Sequence, residues 1–239
     1  MRLTSCVVST LVSAFVLAGT WMPSFAQAQG MPAGMPLVVD LKKVEVGSWA
    51  EYAMGMGSMT LTSRWALVAR TPKSNTLEMS TKGGPVAKPV VLRMLLAADP
   101  IADSSPAKSL VIQFGNDDPM YAPSDTPVQK FQHPDPKSLV GKEEIKVPAG
   151  TFQTAHYREK NAMGTVDVWV NETVAPLGLV KVLTTPDVDK NAPSAMQIPA
   201  ATMELSGVGK GAKAVITKKP KPFDAKKMGG LVGGDAPTK

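Results

Sequence analysis

Cysteine is almost absent from this chain. The single copy, Cys6, lies inside an apolar leader, ahead of any cleavage point. The rest of the protein therefore has no disulfide, no thiol nucleophile and no thiolate metal site. A lipid-carrying cysteine would follow the apolar run, so Cys6 is in the wrong place for that role as well. Histidine is nearly as scarce, with only His133 and His156. Neither stands in an H-x-x-x-H or H-E-x-x-H spacing, and the chain has no G-x-S-x-G elbow, so zinc-hydrolase and serine-hydrolase signatures are missing. Long apolar runs are missing too. After the leader, nothing approaches the ~20 residues of a membrane-spanning helix.

Positive charge is lacking where a nucleic-acid reader would need it. The formal net charge is +6, but residues 210 to 239 hold eight Lys against two Asp. Residues 27 to 209 hold seventeen Lys and Arg against eighteen Asp and Glu. The folded part is nearly neutral, which excludes a basic binding face for nucleic acid. The basic tail is a candidate to touch anionic surfaces such as lipid headgroups.

The leader combines Arg2, the apolar stretch "CVVSTLVSAFVLAG" and small residues in "SFAQAQG", with cleavage after Ala26 or Ala28. This is the pattern of a secretory signal peptide over residues 1–28, and it places the mature chain in the periplasm or outside the cell. Without disulfides in an oxidising space, the protein relies on a hydrophobic core. Roughly 180 ordered residues can build one as a single domain. Residues 29–36, rich in Gly, Pro and Met, read as a flexible lead-in. Residues 209–239 mix Lys, Pro and Gly and read as a disordered basic tail. The ordered domain is expected over 37–208.

Within it, alternation of period two dominates. "SWAEYAMG" and "MTLTSRWALVAR" flank Gly57-Ser58 as a hairpin. "NTLEMST" and "KSLVIQFG" alternate cleanly. "PVVLRMLLA" has helix-favouring Leu and Met, but Pro89 and Pro100 leave too little room for a long helix, so a strand is expected. From Asn116 to about Ser138, five prolines exclude a central strand. Strands resume at about 143–147, 151–158, 164–170, 177–184 and 201–207, the spacing of an antiparallel meander. Pro148 and Gly150 supply the turn chemistry of "VPAGTF".

Two strands are apolar on both faces. Val166, Val168 and Val170 line one side of "GTVDVWV", with Thr165, Asp167 and Trp169 on the other. In "LGLVKVLT", Leu177, Leu179, Lys181 and Leu183 oppose Gly178, Val180 and Val182. A sheet with one wet face alternates more sharply. Something must cover the second face: a helix, another sheet or an apolar ligand. Helical patterns are scarce, which points to a concave, ligand-holding sheet.

The stretch "VGKEEIKVPAGTFQTAHYREKNAMGTVDVWVNETVAPLGLVKV" resembles exported bacterial proteins of the LolA/LolB-type lipoprotein-carrier superfamily, as does the opening "VEVGSWAEYAM". The resemblance covers about 45 residues well and perhaps 130 loosely, and it rests on turn and strand residues. It implies an all-β, strongly curved antiparallel half-barrel with few helices, whose concave face holds acyl chains. By position, Phe152, Val166, Val168, Leu179 and Leu183 are the candidates to line such a face. Plug helices of the carrier type are not evident in this chain.

Other chemistry is weaker. His156, mid-strand beside Tyr157, reads as a strand histidine, and His133 in "FQHPDP" as a solvated loop histidine. "NDDP" (116–119) and "DVD" (187–189) are acidic turns that lack the donor spacing of a calcium loop. Met31 and Met35, then Met54, Met56 and Met59, form two thioether groups, and soft thioethers select Cu(I). The expectation is an exported, non-catalytic protein that binds a lipid-like or other apolar group and uses no organic cofactor. A protein-interaction module of the envelope and a Cu(I) binder held by Met54, Met56 and Met59 are the alternatives.

Overall fold

A computed structural model describes residues 35–84, 88–103, 107–123, 126, 130–161, 164–187 and 200–223. The leader, most of the lead-in and the end of the tail lie outside these residues. Among the described residues no helix is long and apolar enough to cross a membrane.

The fold is an all-β, open antiparallel sheet. Its strands are β2 (Trp49–Met56), β3 (Met59–Thr71), β4 (Ser74–Gly83), β5 (Val90–Ala97), β6 (Ser109–Phe114), β7 (Met120–Tyr121), β9 (Leu139–Val147), β10 (Gly150–Asn161), β11 (Gly164–Val170), β12 (Leu179–Pro186) and β13 (Ala201–Gly209). They lie in the order β7-β6-β5-β4-β3-β2-β13-β12-β11-β10-β9. The remaining pair, β1 (Met35–Pro36) and β8 (Phe131–Gln132), forms a separate parallel ribbon. Two meanders therefore meet where β13, late in the chain, pairs with β2. Each expected strand is present, and β9 starts four residues earlier than its alternation begins.

The turns follow from local chemistry. Gly57, at φ 59°, closes β2–β3, and Gly150, at φ 135°, follows the Pro148-Ala149 turn into β10. The proline-rich centre stays out of the main ladder except at β7, an edge strand of two residues.

The sheet is curved. β9 stands four places from β13, about 19 Å in a flat sheet. Yet the amide of Ala149, at the β9–β10 tip, donates to Leu205 O at 3.0 Å. Similarly, Tyr52 on β2 reaches past β13 to donate its hydroxyl to Leu179 O on β12 at 3.2 Å. Full burial pushes the Tyr52 phenol well above its ordinary range.

The concave face carries the main core: Tyr52, Trp65, Leu67, Leu77, Met94, Val166, Val168, Val182, Met203 and Leu205 share one buried cluster. Its cover corrects two expectations. Residues 35–36 are not a free lead-in, because Met35 is 3% exposed and paired in β1. What lies over the apolar face is the chain itself, as Met35, Leu37, Val39, Leu41 and Val44 enter the same cluster.

The convex face is covered over β4–β7 by residues 210–221, which corrects the expectation of disorder from 209 onward. Ile216, 1% exposed, packs on Val91 and Val111. The amides of Val215 and Ile216 donate to Glu78 at 2.6 and 3.2 Å. Beyond it, Lys221 N donates to Pro119 O and Tyr121 N to Lys221 O, so this strap caps the β7 edge. Composition alone misjudged it because its contacts are made with strands more than a hundred residues earlier. Residues 224–239 lie outside the description.

The strap ends in a charged clasp, with Asp118 accepting from Lys221 Nζ at 2.6 Å and Lys218 Nζ at 3.0 Å. These lysines, Lys221 first, lower the Asp118 carboxyl from 3.8 to about 2. A depressed carboxylate stabilises above its unfolded pKa and ceases to do so as pH falls through its folded one. The clasp is therefore expected to loosen between about pH 4 and pH 2. Protection of the Lys221 amide, taken relative to the intrinsic exchange rate at each pH, should fall over that window in the wild type. The Asp118→Asn variant should exchange faster already at pH 7 and show no such step. The Asp99 carboxyl is also lowered, by the Ala102 amide first and then by Lys42, so the readout must be local to the strap. Identical exchange profiles for the two proteins would rule the clasp out.

Candidate functional site

The candidate cargo residues do not gather into one lining. Val166 and Val168 lie on the concave face, 2% and 5% exposed. Leu179 is fully buried in the same cluster. Phe152 is half-buried and packs against its margin. Leu183 lies on the other face, opposite Asp167 and Thr202. The expectation that Leu179 and Leu183 share a face fails at a bulge: the register shifts between Trp169 and Val170, so Leu179 pairs with Val170.

Over Val166 and Val168 lies a crevice walled by Pro36, Gln132, Pro134, Tyr157 and Glu159. Its volume is about 10 Å³, room for about one water molecule. The β1–β8 ribbon forms its roof. Periodicity did not single out these wall residues. One signal was available, the alternation of Met35, Leu37, Val39 and Leu41 in "MPLVVDL", whose apolar members are the buried ones.

The roof is held by few bonds. Met35 N donates to Lys130 O at 2.8 Å, Leu37 N to Gln132 O at 2.9 Å, and Val38 N to Leu177 O at 3.2 Å. Gly178, at φ 82°, lets the loop pass close: a Cβ there would meet Val38 Cγ2 at 2.1 Å. Further on, Arg70 clasps the segment by donating to Lys42 O at 3.0 Å and to the carbonyls of Leu41 and Val44. Arg70 is itself oriented by Asn75.

His156 sits on the convex face within a ladder of β9, β10 and β11. Its Nε2 lies 2.6 Å from Asp167 Oδ1 and its Nδ1 3.0 Å from Glu143 Oε1. The ring stacks on Trp169 with centroids 4.4 Å apart. Trp169 Nε1 donates to Glu143 Oε1 at 2.6 Å, and Arg158 Nε to Asp167 Oδ1 at 2.7 Å. Both ring nitrogens thus face carboxylates, which ties three strands together by cross-strand pairs. His133 is exposed. In the acidic turns Asp117 pairs with Lys88 and Asp187 with Lys160. Among the described residues, no group of three His, Cys, Asp or Glu is placed to hold a metal ion.

The methionines do gather. Met54 is the cross-strand partner of Met203, and Met56 of Met59. Met35 goes separately into the core, and Met31 lies outside the described residues.

No protein-family profile and no curated protein matches this chain. One solved structure, described as a "putative lipoprotein" from Parabacteroides distasonis, is similar over 73% of this chain and 99% of its own, at 11% identity and a TM-score of 0.33. A likeness that loose carries no functional argument. The carrier-type resemblance therefore rests on the sequence motifs, beside an open curved sheet of the expected class.

Proposed function

We propose that this is an exported, non-catalytic protein of the bacterial envelope that binds an apolar group, lipid-like in shape, on the concave face of its sheet. One observation carries the reading. Among the described residues that face is covered by no helix but by chain segments: residues 35–44, extended up to Val39 and turning at Asp40–Lys43, with Phe131 of β8 and the loop residues Val174 and Leu177 beside them. A groove filled by an extended apolar strand has the width for an acyl chain of similar section. Binding then proceeds by exchange, the guest entering as β1 lifts from β8. The Val166–Val168 crevice is where entry begins.

The test is a lock. Met35 and Phe131 are neighbours across the β1–β8 ribbon, so Met35→Cys with Phe131→Cys can form a disulfide at ordinary spacing. The wild type is expected to take up a fluorescent fatty acid saturably, the oxidised double variant to lose that uptake, and reduction to restore it. Native mass spectrometry should show lipid mass on the wild type. No uptake by the wild type, or uptake indifferent to the lock, overturns exchange.

A second reading, docking to an envelope protein, is favoured by Leu139 and Val140, 47% and 56% exposed on the edge strand β9. Val140 is the bulged residue of that strand, and Lys142, Glu143, Glu144 and Lys146 follow it. Bulges and charges guard edges against indiscriminate pairing, so docking is confined to the apolar start. Capture of an envelope protein that Leu139→Lys with Val140→Lys abolishes would favour this reading, and equal capture by both proteins would remove it.

A further inference from the structure

The three local methionines of the β2–β3 hairpin acquire a fourth partner only in the folded chain. Met203 comes from β13, nearly a hundred and fifty residues away in sequence, and sits opposite Met54. Met56 sits opposite Met59 across the turn. Met54 and Met56 are two apart on one strand, so all four project from the concave side of β13, β2 and β3. Directly opposed residues hold their Cβ atoms about 4.5–5.5 Å apart, and residues two apart on a strand are about 6.6 Å apart. A methionine side chain has three rotatable bonds beyond its Cα. Three or four sulfurs from such a patch can therefore meet on one ion. Ala201, opposite Met56, leaves space beside them.

Packing alone does not account for the patch. Met203 is buried, at 4% exposed, as a core filler would be. But Met56 is only half-buried, Met54 is half-buried against the core margin, and Met59 is 36% exposed. The sulfurs thus run from the core margin to solvent at the open end of the hairpin, which gives an ion a path in. Thioethers are neutral and soft. They bind Cu(I) and discriminate against the hard cations that prefer carboxylates.

We propose that Met54, Met56, Met59 and Met203 form a Cu(I)-binding site at the β2–β3–β13 end of the sheet. Met203 belongs to the concave core and Met54 packs against it, so the site adjoins the apolar groove, but its test does not depend on any lipid.

The experiment is an anaerobic titration of the full mature chain with Cu(I), kept reduced by ascorbate and competed against a chromophoric Cu(I) chelator. One ion per chain is expected, with a sulfur-only first shell by X-ray absorption. Met54→Leu with Met203→Leu keeps the side-chain volume and is expected to weaken binding by at least about tenfold. Met94→Leu with Met120→Leu, at buried positions away from the patch, should leave affinity unchanged. Circular dichroism confirms that both variants fold. Absence of competition by the wild type, or equal affinity in the Met54/Met203 variant, overturns the proposal.

Discussion

Glu78→Ala is expected to destabilise the protein by about 3–5 kcal/mol, the range for removing one partner of a buried pair. Glu78 is 2% exposed on β4. Its carboxylate accepts from Arg93 Nε at 2.9 Å and Nη2 at 2.5 Å. It also accepts both strap amides, Val215 N and Ile216 N. Arg93 in turn donates to Ile216 O. One carboxylate thus joins two strands of the sheet to a segment more than 130 residues later. Alanine leaves a largely buried guanidinium without its counter-ion and two amides without an acceptor. For a domain of this size the midpoint of thermal unfolding should fall by on the order of 10 °C. Glu78→Gln keeps the acceptor oxygen and loses the charge, so it should fall between alanine and the wild type. Denaturant unfolding measures the difference, and limited proteolysis reports release of residues 210–223. An alanine variant within about 0.5 kcal/mol of the wild type would show that the strap is not anchored there.

Leu37→Ala is expected to cost about 2–5 kcal/mol through the cavity it leaves. Leu37 is 1% exposed and sits in the concave core. The same substitution at Leu77, fully buried on β4, should cost about as much. The two differ in what they do to binding. Leu37 belongs to the removable cover and Leu77 to the sheet beneath it. If a guest exchanges with residues 35–44, weakening the cover raises the populated open fraction and tightens apparent affinity. Leu37→Ala should therefore bind the fluorescent fatty acid more tightly than wild type, and Leu77→Ala should not. Equal binding by the two variants at equal stability would make Leu37 an ordinary core residue and end the exchange idea.

The candidate site was only partly legible in the sequence. Val166 and Val168 were found because they alternate in a strand, and a strand's apolar period points to its buried side. Leu183 was misassigned because a bulge in the β11–β12 ladder breaks that period, and nothing in "LGLVKVLT" marks it. Met203 was missed as a neighbour of Met54 because pairing of β13 with β2 is a long-range event. The ladder around His156 was invisible for the same reason: Glu143, His156 and Asp167 come from three strands whose register only the sheet sets. The roof over the crevice left a fainter trace, a short alternation in "MPLVVDL" beside glycines and prolines.

The order of local preferences along the chain was enough to determine an antiparallel, all-β protein. Alternating side chains choose strands, and Gly and Pro at fixed offsets choose the turns between them. What covers each face of the sheet was decided only in three dimensions. Residues 35–44 and 210–221 carry no strong period of their own, and their place depends on surfaces assembled from distant strands. Burial of Leu37 or Ile216 is a property of the finished sheet, because until its strands are paired there is no apolar surface for either side chain to leave water for.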